Sequence, residues 1–391
     1  MRYNSKEELL QLAGNMAVKA EQRKSEVSVV IGNGFDIGLG LNTRYSDFLE
    51  RYLKPEYPVR TEAIRAMKND IRNQIHNESV SWADAEIAFG QLEFSNYPHK
   101  EGGVGALAEC EGDFTSALKS YLLDEDSRFI IPPERQNDTT HKFCVQLQNL
   151  LESEISFPSY VKTLNVEFFN FNYTSTLDKL LSGDMAALVQ TDATANKRNF
   201  NLVGVHHIHG SLSHDNIIFG VDDDAQISDQ DVADASKQDG YLVKSELDSA
   251  LQVNELASFI KRISNSNVIV LFGLSYGRSD ASIWQSVFRA MKKNHLLDVV
   301  LCGYMKDPPV VSGSAMLQKM KAAVRNRFAA SIDWANNFDV SEYSNHLHVV
   351  GYDFYESPSG YRVYSDPLGL GWFRHEFVRR SVTKGREQVD A

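Results

Sequence analysis

A β-branched run that stops abruptly at two closely spaced glycines constrains this chain more than any other stretch. Residues 27 to 36 read V-S-V-V-I-G-N-G-F-D. Val27, Val29, Val30 and Ile31 form a short apolar segment, the pattern of a parallel strand buried on both faces. Gly32-Asn33-Gly34 then breaks it. Glycine there lets the chain turn tightly and lets a ligand approach bare backbone. In doubly wound folds, nucleotide phosphates sit at the carboxyl end of the first strand. The G-x-G-x-x-G fingerprint is nevertheless incomplete, because Ile37 stands where its third glycine belongs. Alone, the stretch is equally an ordinary strand running into a glycine turn.

Length and charge narrow the setting. The 391 residues suit one elaborated α/β domain or two domains. A net charge of -12 argues against a nucleic-acid binder that works by broad phosphate neutralisation. It leaves room for a small anionic ligand held by backbone amides. Cys110, Cys144 and Cys302 are too few for a disulfide framework or a four-cysteine zinc site. No apolar run is long enough for a membrane helix, and the polar, amphipathic start is unlike a signal peptide. The expectation is a reduced, cytoplasmic protein.

Along the chain, residues 4 to 23 read as a leading helix that serves packing or a homo-oligomer surface. Residues 45 to 160 look mostly helical, with apolar three- and four-residue spacing in 60–76, 80–93 and 110–123, a break at Pro132-Pro133 and a resumed helical pattern in 139–155. A block that long between two strands predicts a helical insertion, placed to form a lid, in a Rossmann-like, mostly parallel α/β domain formed by 1–44 and 161–352. Further strands are expected at 166–171, 202–208, 216–221, 267–272, 297–302 and 346–352. Between them, 225–243 reads as a polar, mobile loop and 246–264, 279–293 and 313–330 as helices. Residues 353–391 form a C-terminal extension with basic Arg374, Arg379, Arg380, Lys384 and Arg386.

Four of the apolar runs end alike: G-N-G-F-D at 32–36, N-Y-T at 172–174, H-G-S at 209–211 and G-L-S at 273–275. In an open parallel sheet all strand carboxyl ends lie on one edge, so these motifs would converge there. Each has a bland explanation: Asn172 as a turn residue, His209 as a satisfied strand-end histidine. Together they predict a nucleotide site.

The same segments, with W-A-D-A-E at 82–86 and F-G-L-S-x4-D at 272–280, resemble the AbiH family of bacterial phage-defence proteins, itself similar to the sirtuin-like superfamily. The resemblance implies a sirtuin-like fold, NAD as substrate or ligand, a phage-derived trigger and an abortive-infection role. It also implies Gly32, Asn33, Gly34, Phe35 and Asp36 at the nucleotide. Asn172 and His209 fall at the reactive ribose and Gly273 and Ser275 toward the adenosine side, with Gly210 and Asp280 as further cofactor-binding residues. The zinc-binding cysteines and acetyl-lysine segment of protein-deacylating sirtuins are missing. That favours hydrolysis of NAD over protein deacylation.

The chemistry can be stated from the residues. Breaking the nicotinamide–ribose bond makes an oxocarbenium-like sugar and releases a good leaving group, so the protein must position water and accept a proton. His209 suits the base and Asn172 the orienting amide. Asp36 could stabilise the cationic sugar or hold the carboxamide, or simply belong to the turn. His206, His207 and His209 lack a completing carboxylate, so no metal is expected. Asp84 and Glu86, two apart on a helix, do not share a face, though one of them could reach the pocket. The alternative is a sensor or scaffold that binds NAD or ADP-ribose without turnover.

Overall fold

The computed structural model describes residues 24–184, 198–239, 241–251, 254–305, 315–332, 340–352 and 366–378. The expected leading helix at 4–23 and most of the basic tail lie outside them.

Six strands build one sheet: β1 (Lys24–Ile31), β2 (Thr163–Asn170), β3 (Asn199–His207), β4 (Val268–Phe272), β5 (Asp298–Tyr304) and β6 (Leu347–Tyr352). Their order is β3-β2-β1-β4-β5-β6, and every neighbouring pair is parallel. Val27 stands level with Val166 on one side and Val268 on the other. This is the doubly wound order in which the chain reverses direction between β1 and β4, opening a crevice at their carboxyl ends.

Thirteen described helices surround the sheet: α1 (Gly34–Gly38), α2 (Tyr45–Tyr52), α3 (Glu62–His76), α4 (Ala85–Gly90), α5 (Gly102–Asp126), α6 (Gln136–Glu154), α7 (Thr176–Leu181), α8 (Gln230–Asp239), α9 (Lys244–Ala250), α10 (Glu255–Ile263), α11 (Ala281–Lys293), α12 (Ala315–Ile332) and α13 (Leu370–Phe377). Strand alternation divides the sheet's core in two. Val27, Val29 and Ile31 point to the face covered by α6, α7 and α13, through Phe143, Leu177 and Phe373. Val30, Ile269 and Leu271 point to the opposite face, covered by α10, α11 and α12 through Phe259, Trp284 and Phe328. A third core, around Phe48, Met67, Phe89 and Phe114, belongs to α2–α5 and takes in Tyr173, Leu212 and Phe219 from the loops after β2 and β3. This helical layer therefore lies over the strand ends. Within the helical stretch 45–160, α6 packs on the sheet itself.

Some expectations are corrected. Residues 216–221 are not a strand: Val221 makes only an isolated bridge to Val243. Their apolar character reflects burial of Phe219 and Val221 beneath the helical layer, with Ile218 buried beside them. The supposed polar loop 225–243 contains α8, which buries Val232 and Ala233. The expected helix at 246–264 is two, α9 and α10. Beyond 353, α13 docks on the sheet through Leu370, Phe373 and Phe377.

Candidate functional site

A cavity of about 1970 Å³ opens along the carboxyl edge of the sheet. Strand ends form its floor, and Tyr45, Trp82, Asp84 and Glu86 of the helical layer reach its other side. It exceeds the ~300–1,000 Å³ of an ordinary ligand pocket.

One wall is glycine. The N–H of Gly32 donates to the Phe272 carbonyl (2.9 Å), that of Gly34 to the Gly273 carbonyl (2.8 Å) and that of Phe35 to the Gly32 carbonyl (2.9 Å). Two of these amides are committed to the end of β4 and the loop after it, and the third within the turn. The glycines are required because the loops after β1 and β4 touch. A Cβ on Gly34 would lie 2.5 Å from Gly273 Cα, and one on Gly273, at φ +70°, would lie 2.7 Å from the Phe35 nitrogen. Asn33 faces the cavity with its amide held by Thr43, donating to the Thr43 carbonyl (2.8 Å) and accepting from the Thr43 hydroxyl (2.5 Å).

The other wall is made of side chains. Asn172, just past β2, lines the cavity and donates from Nδ2 to the Gly32 carbonyl (3.2 Å). Its amide oxygen accepts from no group among the described residues. His209, just past β3, is 7% exposed and sits edge-on to Phe171, with ring centroids 4.9 Å apart. Its Nε2 lies 3.0 Å from Asp280 Oδ1. The contact is bent, so it is a pair by distance and less than a full hydrogen bond by angle.

Behind His209 lies a buried charge cluster. Lys244 Nζ donates to Glu86 Oε2 (2.7 Å), Asp280 Oδ1 (2.8 Å) and the Ser279 carbonyl (3.0 Å). The Tyr173 hydroxyl donates to the Ile218 carbonyl (3.0 Å) and lies 3.4 Å from Glu86 Oε1. Burial pushes the Asp280 carboxyl up, but the Lys244 ammonium and His209 more than reverse this and hold it well below the usual carboxylate range. Burial pushes Glu86 the same way, and there it prevails over Lys244, so its carboxyl stays raised. Burial lowers the Lys244 ammonium, but Asp280 and Glu86 outweigh that and hold it above its ordinary value. Two carboxylates on one lysine are thus driven apart, an arrangement typical of acid–base sites.

The structure sorts the sequence-based candidates. Gly32, Asn33, Gly34, Asp36, Asn172, His209, Gly273, Ser275 and Asp280 all contribute to the cavity wall. Phe35 does not. Its ring is fully buried against Phe143 and Phe272, because α1 turns its apolar side into the sheet core. Gly210 does not either: at φ +74° it backs onto the Asn216 carbonyl. Asp36 is 1% exposed, and its two oxygens accept from the hydroxyls of Thr174 (2.6 Å) and Thr176 (2.5 Å). Burial raises its pKa to about 6 against the pull of those hydroxyls. Its observed contacts tie α1 to the end of β2. His206 pairs with Glu167 and Glu255, and His207 with Asp178, away from the cavity.

Glu86 reaches the cluster from α4, where Asp84 caps the helix by accepting from the Ile87 amide (3.3 Å). Different faces of a short helix serve both residues. Lys244 carries no sequence signal that separates it from a surface lysine.

Among the described residues, no helix is long and apolar enough to cross a membrane. Residues 29–300 match the family described as Bacteriophage abortive infection AbiH, well over half of the 391-residue chain. No curated protein matches the chain.

Proposed function

The chain belongs to the bacteriophage abortive infection AbiH family, and we propose that it serves that role by cleaving NAD to nicotinamide and ADP-ribose in the sheet-edge cavity. One observation carries the reading. His209, paired with Asp280 (3.0 Å), and Asn172 face the same cavity at the switch point of a doubly wound sheet. The sequence resemblance to sirtuin-like NAD pockets supports the choice of dinucleotide.

The leaving group needs little help, because the nicotinamide nitrogen already carries positive charge. The protein's work is to hold the ribose, place a water and take a proton as the C–N bond breaks. The uncommitted Asn172 oxygen suits orienting that water or a ribose hydroxyl. His209 suits accepting the proton. Asp36, with both oxygens occupied by threonine hydroxyls, supports the site by fixing α1 beside β2.

The test is nicotinamide release from NAD by purified protein, alone and with extract of phage-infected cells as trigger. Asn172→Ala and His209→Ala should each lower release by roughly a hundredfold or more. Full activity in both variants would overturn the mechanism. Thermal stabilisation by NAD with no nicotinamide formed would instead support a sensor that binds the dinucleotide without turnover.

A further inference from the structure

The cluster behind His209 contains a lysine that the reaction above does not use. Lys244 opens α9 and is 6% exposed. Its ammonium has three protons and three acceptors: Glu86, Asp280 and the Ser279 carbonyl. Asp280 Oδ1 therefore meets two nitrogens, Lys244 Nζ at 2.8 Å and His209 Nε2 at 3.0 Å.

The protonation of Asp280 decides the tautomer of His209. A neutral imidazole carries its proton on the nitrogen that faces an acceptor. Ionised Asp280 can only accept, so the ring proton belongs on Nε2 and Nδ1 keeps the lone pair. A carboxyl buried this deeply tends to take up a proton, and the nearby ammonium opposes that. Protonated Asp280 could donate to Nε2, sending the ring proton to Nδ1. No protein group among the described residues hydrogen-bonds Nδ1.

We propose that Lys244 is a positioning residue that keeps Asp280 an acceptor, and so sets the tautomer in which His209 carries its proton on Nε2 and its lone pair on Nδ1. The use of that lone pair as a base rests on the NAD-cleavage reading; the tautomer itself does not.

Ring-nitrogen NMR on protein labelled with ¹⁵N-histidine tests this, with the His209 signals identified by their loss in His209→Gln. The native ring is expected protonated at Nε2 and bare at Nδ1. Lys244→Met keeps the chain length and drops the charge. It should shift the ring to the Nδ1–H form and lower nicotinamide release by roughly a hundredfold, with KM within about twofold. Glu86→Gln cuts the link to the helical layer but leaves Lys244 on Asp280, so the native tautomer should persist.

A native ring protonated at Nδ1, or a Lys244→Met ring like the native one or protonated on both nitrogens, would overturn the proposal. So would a Glu86→Gln ring shifted as far as that of Lys244→Met, since Lys244 would then be only a packing tie. If Lys244→Met does not fold, the Glu86→Gln/Lys244→Met double variant, which removes the carboxylate left unpaired, is read by the same criterion. Native protein that releases no nicotinamide would sink the NAD reading alone, and the ring signals would still decide on Lys244.

Discussion

The strands on either side of β1 present the cavity with two different walls. On the β1–β4 side, backbone meets backbone. The Gly32 and Gly34 amides donate across to Phe272 and Gly273, that of Phe35 donates within the turn, and Gly34 and Gly273 are too close for any Cβ. On the β2–β3 side the backbone stands back and side chains face the space: Asn172, whose amide oxygen accepts from no group among the described residues, and His209 paired with Asp280. The glycine motif that most resembles a nucleotide fingerprint therefore closes the sheet edge, whereas the polar side chains that face the cavity come from positions with no fingerprint. Glycine at a strand end can mean a ligand or another loop, and here the other loop occupies the space.

Three substitutions probe that contrast, beginning with the largest expected effect. Gly273→Ala combines a left-handed backbone, worth about 1–2 kcal/mol, with overpacking against Phe35, worth about 1–3 kcal/mol. Denaturant unfolding should show a loss near 4 kcal/mol. Unchanged stability with abolished nicotinamide release would make the glycine wall a ligand surface after all.

Asp36 joins the two walls and gives a pH signature. Its folded pKa is raised from 3.8 to about 6, so folding favours the neutral acid. Its stabilising contribution is complete below pH 3.8 and is lost as pH climbs through 6, a span of about 3 kcal/mol. Native protein should therefore lose ground to Asp36→Asn as pH rises from 4 to 7. A constant difference between their unfolding free energies across that range would exclude this account.

Thr43→Val is the mildest. It removes the hydroxyl donated to Asn33 Oδ1 and keeps the carbonyl that Asn33 Nδ2 uses, for a cost of about 1 kcal/mol. A small stability loss with activity retained fits a strut on the glycine wall. A large loss of activity would bring Asn33 into the chemistry.

Much of the fold was legible because it is written locally. Short buried runs such as V-I-V-L-F, most of them ended by glycine or small polar residues, mark parallel strands, and all six described strands were expected, with small shifts at their ends. The expected strand at 216–221 failed for an instructive reason. An apolar run records burial, and the loop after β3 is buried beneath a helical layer instead of in a ladder. The same physics hid α8, whose polar composition masks the burial of Val232 and Ala233. In the site, Asn172 and His209 could be found because strand ends converge in any parallel sheet.

By itself, then, the sequence determined the sheet, the edge at which its motifs meet and the family to which the chain belongs. Only the tertiary structure decided that Phe35 and Gly210 turn away, that Asp36 is tied to two threonines, and that a lysine stands behind His209. Local periodicity encodes which way a strand or helix faces, through steric repeats of two or 3.6 residues. Charge pairing inside a core has no such repeat. Lys244 and Glu86 lie 158 residues apart, and each resembles a solvated surface residue until folding removes the water around both.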